Sequence, residues 1–254
     1  MRTNRPWRFG AGLLAAGMLA AASPANAQTA GDGFLFHAPS GSIVFRAGLD
    51  QALAGSDLFS QSIADFTLRK SDFAGVSFAV ELNAALSPRT DLVISAGWSG
   101  SRHGSEYRHW VDDNYLPIQQ TTTFVRVPIT AGARYYLIPP GERIGHLAWV
   151  PRRIAPFVGG GLGAIWYRFR QSGDFIDLAS ATKDVSPDDL STSDWSLMAY
   201  AAAGADVSIS PSVYLTGECR YTWARAHVGP DYYGYGRVDL SGVAVTVGVG
   251  FRMQ

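Results

Sequence analysis

Several long stretches of this sequence alternate between large apolar residues and small or polar residues. The clearest stretch is 242–253, where every second residue has a large apolar side chain: Val243, Val245, Val247, Val249, Phe251 and Met253. A helix has a period of 3.6 residues and would not sort side chains this way, whereas a strand places successive side chains on opposite faces. Valines also favour a pleated surface. The stretch therefore predicts a β-strand with one apolar face.

The same alternation recurs along the chain and predicts eight strands. The other seven segments are 42–50, 76–84, 92–99, 125–137, 155–169, 195–209 and 213–223. Four glycines blur the two faces of 155–169, although its position in the series is that of a strand. Each segment is near or above the roughly 9–11 residues that cross a bilayer at a tilt. An even number of strands closes an antiparallel barrel.

The chemistry of the polar face decides between a soluble barrel and a membrane barrel. A lipocalin-type soluble barrel carries a charged exterior. Here the polar face is mostly Gly, Ser and Thr, and the only two lysines, Lys70 and Lys183, lie outside the predicted strands. Charged residues make up 17% of the chain, against about 25% in soluble domains. Small residues suit the narrow interior of eight strands, so the sequence predicts an all-β, eight-stranded antiparallel up-and-down transmembrane β-barrel.

The predicted connections alternate in length. Residues 87–90 and 210–212 are tight turns rich in Ser and Pro. Segment 139–153 is long, although it lies on the same side as these turns. Four longer, polar segments are interpreted as loops: 51–71, 100–121, 171–192 and 225–237. Short turns on one side and long loops on the other are typical of outer-membrane barrels, whose long loops face outwards.

The first 27 residues have the pattern of a secretory signal peptide. Three arginines within the first eight residues precede an apolar run at 9–22, and residues 25–27 (Ala-Asn-Ala) form a small-residue cleavage pattern. The run is shorter than the roughly 20 residues of a spanning helix. We therefore expect cleavage before Gln28, leaving residues 28–254 as one outer-membrane barrel domain. The single cysteine, Cys219, cannot form a disulfide within the chain.

Aromatic residues fall near both ends of the predicted strands. Those next to long loops are Trp98, Trp166, Tyr167, Trp195 and Trp223. Those near the opposite ends are Tyr135, Phe157, Tyr214 and Phe251. Aromatic residues favour strands in general, but their placement at strand ends predicts two interfacial girdles of a membrane barrel.

Seven charged residues lie on the predicted inward face and form the candidate site. They are Arg46, Glu81, Arg126, Arg134, Asp206, Glu218 and Arg220. One interpretation is a polar network of ion pairs and hydrogen bonds in the barrel lumen, because an unpaired interior charge is costly. The other is a charged constriction that selects small solutes. Eight strands leave little room for a water channel, which favours the network.

Three segments resemble strands of a known family. Residues 156–163 (Pro-Phe-Val-Gly-Gly-Gly-Leu-Gly) resemble its fifth strand, and residues 215–222 (Leu-Thr-Gly-Glu-Cys-Arg-Tyr-Thr) resemble its penultimate strand. Residues 239–252, ending in Val-Gly-Val-Gly-Phe-Arg, resemble its closing strand. The family is the OmpA/OmpW-like and opacity-protein superfamily of small outer-membrane barrels, and the resemblance covers residues 42–254. It implies an outer-membrane location, contact with outer-membrane lipid and lipopolysaccharide, and assembly by the barrel-insertion machinery.

We expect no cofactor, no metal and no nucleic acid. After the signal peptide the chain carries 18 basic and 21 acidic side chains without a basic patch. His103, His109, Asp112 and Asp113 share one predicted loop, but they lack the spacing of a known metal site. A lipid-modifying enzyme would need a His and Ser pair near the outer rim, and no serine is adjacent to His227 in the sequence. We therefore expect a protein that is not an enzyme.

Three functional hypotheses follow, in decreasing order of support. The first is a structural, surface-exposed outer-membrane protein that adds envelope integrity and presents its loops. The second is a narrow passage for small or apolar solutes, which the family resemblance allows, and the third is the lipid-modifying enzyme. The tyrosine-rich loop 229–236 could contact a partner or extend the aromatic girdle, and the sequence leaves both interpretations open.

Overall fold

The computed structural model describes residues 33–112, 115–145, 148–176 and 185–254. The expected signal peptide, residues 1–27, lies outside these ranges. In chain order the described elements are β1 (Gly41–Ala52), α1 (Asp57–Asp65), a 3₁₀ turn (Lys70–Phe73), β2 (Ala74–Ser87), β3 (Thr90–Val111), β4 (Pro117–Tyr136), β5 (Gly141–Ile144), β6 (Ala148–Pro151), β7 (Ile154–Ile176), β8 (Val185–Ser208), β9 (Val213–Ala226), a second 3₁₀ turn (Pro230–Tyr232), β10 (Val238–Asp239) and β11 (Gly242–Met253).

Eight of these strands form a closed wall. The order around the wall is β1, β2, β3, β4, β7, β8, β9 and β11, and every neighbouring pair is antiparallel. β11 pairs with β1 from Gly41↔Met253 to Ala52↔Gly242, which closes the ring. Each wall strand therefore has a neighbour on both sides. The predicted eight-stranded antiparallel up-and-down barrel is confirmed.

The alternation in the sequence is the alternation of the two faces of the wall. On β11, Val245 and Val247 point outwards and are 58% and 69% exposed. Thr246 between them lies opposite Glu218, which is buried inside the barrel. The same division holds on β2, where Leu82 is half exposed and its neighbour Glu81 is fully buried. The outward face is thus apolar and the inward face polar around the ring.

The two ends of the barrel differ in their connections. The short-turn end carries the turns at 88–89 and 209–212, the segment 137–153, the start of β1 and the end of β11. In the second turn the Ser210 hydroxyl accepts a hydrogen bond from the Val213 N–H at 3.1 Å. The long-loop end carries the segments 53–73 and 227–241, the ends of β3 and β7 and the starts of β4 and β8.

Two segments interpreted as loops, 100–121 and 171–192, are mostly strand in their described parts, so that interpretation was wrong. β3, β4, β7 and β8 are 22, 20, 23 and 24 residues long, whereas the other wall strands have 12 or 14. The extra length is polar, and β-branched residues such as Thr123 pair in continuous register with Arg170 of β7. Beyond the lipid, both faces of a sheet can be polar, so alternation no longer marks a strand in the sequence.

The segment 51–71, also interpreted as a loop, contains helix α1 and turns inwards. Leu58, Phe59 and Ser62 of α1 are buried. The acidic Asp57 in its first turn complements the positive end of the helix dipole. No helix in the described ranges is long and apolar enough to cross a membrane.

The long segment 139–153 at the short-turn end is a β-hairpin. β5 and β6 pair from Gly141↔Pro151 to Ile144↔Ala148. A short piece of chain before the barrel joins this hairpin, because Leu35 and Trp149 exchange both backbone hydrogen bonds at 2.8 and 2.7 Å. The Trp149 side chain is buried, so the hairpin is attached to the end of the barrel.

We predict that a charge on the outward face of β11 destabilises the protein. Val245→Arg should lower the free energy of unfolding in lipid vesicles by about 2–4 kcal/mol, because the guanidinium would lie in the apolar layer. Urea unfolding followed by tryptophan fluorescence measures the change, and Val245→Leu at the same position is the control. Equal stability of the two variants would contradict an outward face that contacts lipid.

Candidate functional site

The centre of the barrel lumen holds a cluster of five charged side chains. Arg134 Nη2 lies 2.5 Å from Glu81 Oε1 and 3.4 Å from Glu218 Oε2. Arg46 contacts the same two carboxylates, at 3.4 Å from Glu81 Oε2 and 3.2 Å from Glu218 Oε2. Arg220 Nε lies 2.9 Å from Glu218 Oε1. We call these five residues the central cluster.

The central cluster joins strands that are far apart around the wall. Arg46 comes from β1, Glu81 from β2, Arg134 from β4, and Glu218 and Arg220 from β9. Four of the five side chains are almost completely shielded from solvent, and Arg220 is 16% exposed. Three cations share two carboxylates, so each carboxylate must serve more than one arginine. Such a cluster holds the inward faces of four strands in one arrangement.

Aromatic rings stack on two of the arginines, and glycines leave space for one of these rings. The Arg134 guanidinium stacks on the ring of Phe157 at 4.2 Å, and that of Arg220 on the ring of Tyr200 at 4.3 Å. The Tyr200 ring extends across Gly132 and Gly161, where a Cβ would collide with it. Gly161, one of the glycines that blurred the faces of β7 in the sequence, and Gly132 of β4 therefore leave space for a ring that supports the cluster.

Arg126 lies apart from the central cluster, towards the long-loop end. Its Nη2 lies 2.8 Å from Asp50 Oδ1 of β1, and its Nη1 donates a hydrogen bond to the Leu240 carbonyl at 2.9 Å. Leu240 belongs to the loop between β9 and β11 and is fully buried. Arg126 thus fastens an inward-folded loop to the wall. Asp50 was not among the predicted site residues, although it lies an even number of residues from Arg46 in β1 and therefore on the same inward face.

Asp206 also lies outside the central cluster, near the short-turn end. Its Oδ2 accepts a hydrogen bond from the Tyr136 hydroxyl at 2.9 Å. In the same part of the lumen, the Ser42 and Tyr214 hydroxyls are hydrogen-bonded at 2.7 Å, and Asn83 Nδ2 donates to Ser42 Oγ at 3.0 Å. The seven predicted residues are therefore divided among three sites, with five together and Arg126 and Asp206 elsewhere.

The long-loop end of the lumen is filled by an apolar plug that the sequence analysis missed. Phe59 of α1 contacts Phe73 and two wall residues, Phe124 and Phe169, with ring centroids 4.8, 5.3 and 5.6 Å apart. Tyr232 of the last loop packs on Phe169 at 5.6 Å. Leu58, Leu68, Val238 and Leu240 complete the buried group. We call the inward-folded segments 53–73 and 227–241 the plug.

Hydrogen bonds attach the plug to the wall. The Tyr232 hydroxyl donates to Gln171 Oε1 of β7 at 3.1 Å, and Gln171 Nε2 donates to Ser62 Oγ of α1 at 3.4 Å. Burial raises the pKa of the Tyr232 phenol above its usual value, so the hydroxyl stays protonated and remains a donor. Both plug segments are therefore joined through one wall residue, Gln171.

The short-turn end of the lumen is covered as well. The Arg252 guanidinium lies 5.2 Å from the Trp149 ring and 4.6 Å from the Tyr214 ring. Its Nη2 donates a hydrogen bond to Ser208 Oγ at 2.7 Å. Trp149 comes from the β5–β6 hairpin and Tyr214 from the wall, so Arg252 connects the hairpin to the barrel.

Three of the predicted girdle residues point inwards instead. Tyr167, Phe157 and Tyr214 are buried in the lumen, so their assignment to the girdles was wrong. Each lies an even number of residues from other inward residues of its strand, as Tyr167 lies two residues from Phe169. The remaining girdle residues face outwards; Trp98, Trp195, Trp223, Tyr135 and Phe251 are 42–54% exposed, and Trp166 is partly exposed.

The histidines and the cysteine form no clustered site in the described ranges. His103 Nε2 lies 3.6 Å from Asp72 Oδ2, His109 is exposed, and Asp113 is outside the described residues. Within those ranges no group of three or more His, Cys, Asp or Glu side chains is arranged to hold a metal ion. Cys219 is exposed on the outward face of β9.

No family model and no curated protein matches this sequence. Among solved structures, the chain is similar to Neisserial surface protein A (14% identity, 84% of this chain and 99% of that chain, TM-score 0.45), to outer membrane protein OprG from Pseudomonas aeruginosa (13%, 87% and 99%, 0.43) and to Ail, the attachment invasion locus protein of Yersinia pestis (12%, 84% and 99%, 0.42). These neighbours are small outer-membrane β-barrel proteins. The strand pairing of this chain establishes its own barrel independently of them.

We predict that breaking the pairing within the central cluster strongly destabilises the protein. Glu81→Gln should lower the free energy of unfolding by about 3–5 kcal/mol, because it leaves Arg46 and Arg134 buried with too little negative charge. The matched control is Glu142→Gln, which removes an exposed carboxylate 3.2 Å from Arg152 and should cost less than about 1 kcal/mol. Urea unfolding in vesicles measures both. A cost at Glu81 no greater than at Glu142 would contradict a cluster that holds the wall together.

Proposed function

We propose that this chain is a non-conducting outer-membrane barrel with a structural and surface role. It adds a stable closed wall to the envelope and presents an extended sheet on the outside. The observation that carries this proposal is the filling of the lumen at three successive levels: the Trp149–Arg252 closure, the central cluster and the plug.

The outward face supports placement in a bilayer. Leu162 and Leu197, from neighbouring strands, are 70% and 84% exposed, and Val247 on another side of the ring is 69% exposed. Exposed apolar residues continue around all eight wall strands, whereas soluble monomers rarely expose large contiguous apolar patches. A closed wall with this exterior satisfies the rule that no open sheet edge faces lipid.

The contents of the lumen support a barrel that does not conduct. A water-filled pore needs a continuous polar path, but the plug places aromatic rings across the lumen above the central cluster. Ion-selective constrictions use a ring of charges of one sign. The central cluster instead consists of positive and negative charges that pair with one another. The alternative hypothesis is a narrow passage for small or apolar solutes, and a conductance measurement tests it directly.

The long strands support a surface role. β8 exceeds the roughly 9–11 residues of a membrane crossing by about 13 residues, which at 3.3 Å per residue is about 40 Å of strand beyond the apolar layer. The β3–β4 hairpin carries exposed apolar residues at its tip, with Tyr115 87% and Leu116 58% exposed. This sheet is the part of the protein best placed to meet external partners.

The remaining parts of the proposal concern biogenesis and chemistry. We propose that residues 1–27 direct export and are cleaved, that the barrel-insertion machinery assembles residues 28–254, and that the protein is not an enzyme. His227, the histidine considered for a lipid-modifying site, is exposed, and its carbonyl accepts a hydrogen bond from the Tyr167 hydroxyl at 2.5 Å. That contact supports a structural role for the segment at the rim of the plug.

We expect the purified, refolded protein to show no stepwise conductance in planar bilayers, with a general porin as the positive control. Glu218→Ala should also remain closed, because the plug and the Trp149–Arg252 closure do not depend on Glu218, although its unfolding midpoint in urea should fall. Heat-modifiable mobility on a detergent gel checks that each sample is folded.

Either of two results would contradict the closed lumen. Discrete conductance steps from the wild-type protein would establish the narrow passage instead. A Glu218→Ala variant that conducts far more than wild type would show that Glu218 closes a path. A processed protein that is monomeric and soluble without detergent would contradict the membrane placement itself.

A further inference from the structure

The long wall strands leave one edge of the sheet without a neighbouring strand. We call the parts of β3, β4, β7 and β8 that extend beyond the shorter wall strands the outer sheet. β9 pairs with β8 only from Met198↔Ala224 towards the short-turn end. In the described part of the chain, residues 185–197 of β8 therefore pair with β7 alone. An open edge of this kind presents backbone N–H and C=O groups to which an extended segment of another chain can pair.

The backbone groups of β8 that point away from β7 belong to alternate residues. Ser191 identifies this set, because its N–H donates a hydrogen bond at 3.0 Å to Asp231 Oδ2, and Asp231 lies in the plug rather than in β7. The direction of the backbone groups alternates along a strand, so the residues at 187, 189 and 195 face the same way as Ser191. The N–H groups of this set are the donors that an added strand would need.

Four positions of this set offer no free donor. Pro187 has no backbone N–H. The Asp189 N–H donates to Asp188 Oδ1, and the Trp195 N–H donates to Asp194 Oδ1, both at 2.7 Å. With the contact to the plug described above, one proline and three aspartate side chains therefore close the donors at 187, 189, 191 and 195.

The plug and the end of β9 hold the part of this edge that lies nearest to the barrel. The Gly229 N–H donates to Thr192 Oγ1 at 2.7 Å. The Ser196 hydroxyl donates to the Arg225 carbonyl of β9 at 2.6 Å. Side-chain contacts therefore continue along the edge from the capped positions to the first β8–β9 pair.

The opposite edge of the outer sheet, formed by β3, is covered by main chain instead. The Thr67 N–H donates to the Glu106 carbonyl at 2.8 Å, and the Glu106 N–H donates to Thr67 Oγ1 at 3.0 Å. The Arg108 guanidinium donates to the Ile63 and Leu68 carbonyls at 3.0 and 3.1 Å. A segment of the plug thus occupies the place of an added strand at β3, whereas only side chains protect the edge at β8.

We propose that Pro187, Asp188, Asp194 and Asp231 close the β8 edge to strand addition, so that two copies of this chain cannot pair through their outer sheets. Proline and charged side chains are means by which proteins protect open edges. A carboxylate that accepts a backbone N–H forms a charge-assisted hydrogen bond, which the carbonyl of an incoming strand would have to displace. The consequence for binding rests on the surface role proposed above: external molecules meet the faces and tips of the outer sheet rather than its edges.

The test removes the caps and measures self-association of the folded protein in detergent micelles by sedimentation. D188A/D194A/D231A leaves three N–H groups without their acceptors. We expect its dimer dissociation constant to be about tenfold lower than that of wild type, because each backbone hydrogen bond gained contributes modestly. Hydrogen exchange of the amides in 185–191 should be slower in this dimer than in the wild-type monomer.

The matched control is D188N/D194N/D231N. An asparagine side chain keeps an oxygen that accepts the N–H but carries no charge, so this variant should remain as monomeric as wild type. A second variant, P187A/D188A, changes only β8 and leaves the plug intact. It should also dimerise more tightly than wild type, and it decides the result if the triple alanine variant fails the heat-modifiability check for folding.

Two results would overturn the proposal. One is that the folded alanine variants are as monomeric as wild type. The other is that the asparagine variant dimerises as tightly as the triple alanine variant, since lost charge rather than lost capping would then cause the association. Either result would reject the closed edge and leave the surface role standing.

The surface role is tested separately on intact cells. A Ser186→Cys variant in a Cys219→Ser background should react with a maleimide that does not cross membranes, because Ser186 lies at the exposed outer end of β8. Failure of intact cells to react, with normal labelling after lysis, would reject the surface role and leave the closed edge standing.

Discussion

The need to pair every backbone N–H and C=O away from water determines the architecture of this protein. In lipid an unpaired peptide group costs several kcal/mol, and the pairing of β11 with β1 removes the last open edge of the sheet. Closing with only eight strands has a second consequence, because the enclosed space is just wide enough for side chains. Every inward residue must then fit against residues from the other side of the ring. The filled lumen is a result of the strand number.

The charges of the central cluster are tolerated because each has at least one partner of opposite sign. Arg46, Arg134 and Arg220 share Glu81 and Glu218, and two of the arginines also stack on aromatic rings. Replacing such a group with apolar residues can leave stability unchanged or even increase it, so stability alone does not account for its presence. A polar interior does distinguish the inward face from the outward face during insertion, when both faces meet lipid and water. The cluster therefore also marks the inward face of β1, β2, β4 and β9.

The sequence predicted the strands of the wall well and the residues that fill the lumen less well, for a physical reason. Alternation at period two depends on one face meeting lipid, so it is strong in β11 and absent from the polar extensions of β3, β4, β7 and β8. The inward face, by contrast, does not meet one uniform environment. Phe157, Tyr167 and Tyr214 point inwards, and the rings of Phe157 and Tyr214 fill the space beside Gly204 and Gly250. In the sequence, aromatic residues at strand ends look like girdle residues. The plug could have been anticipated from Leu58, Phe59, Ser62 and Ile63, whose spacing of one and four residues is helical, but this motif is short and lies in a polar segment.

The polarity of the barrel reverses between its two halves. At the level of the central cluster the interior is charged and the exterior apolar, whereas at the level of Phe124 and Phe169 the interior is apolar and the exterior carries Thr123, Arg168 and Arg170. The exterior changes within single strands: on β7 the outward residues are Leu162 and Trp166 in one half and Arg168 and Arg170 in the other, while the alternation of the two faces continues unchanged. The upper half thus has an apolar core and a wet surface, as a soluble domain does. Because one continuous set of strands carries both halves, the depth of the lower half in the bilayer also fixes the height at which the upper half stands above it.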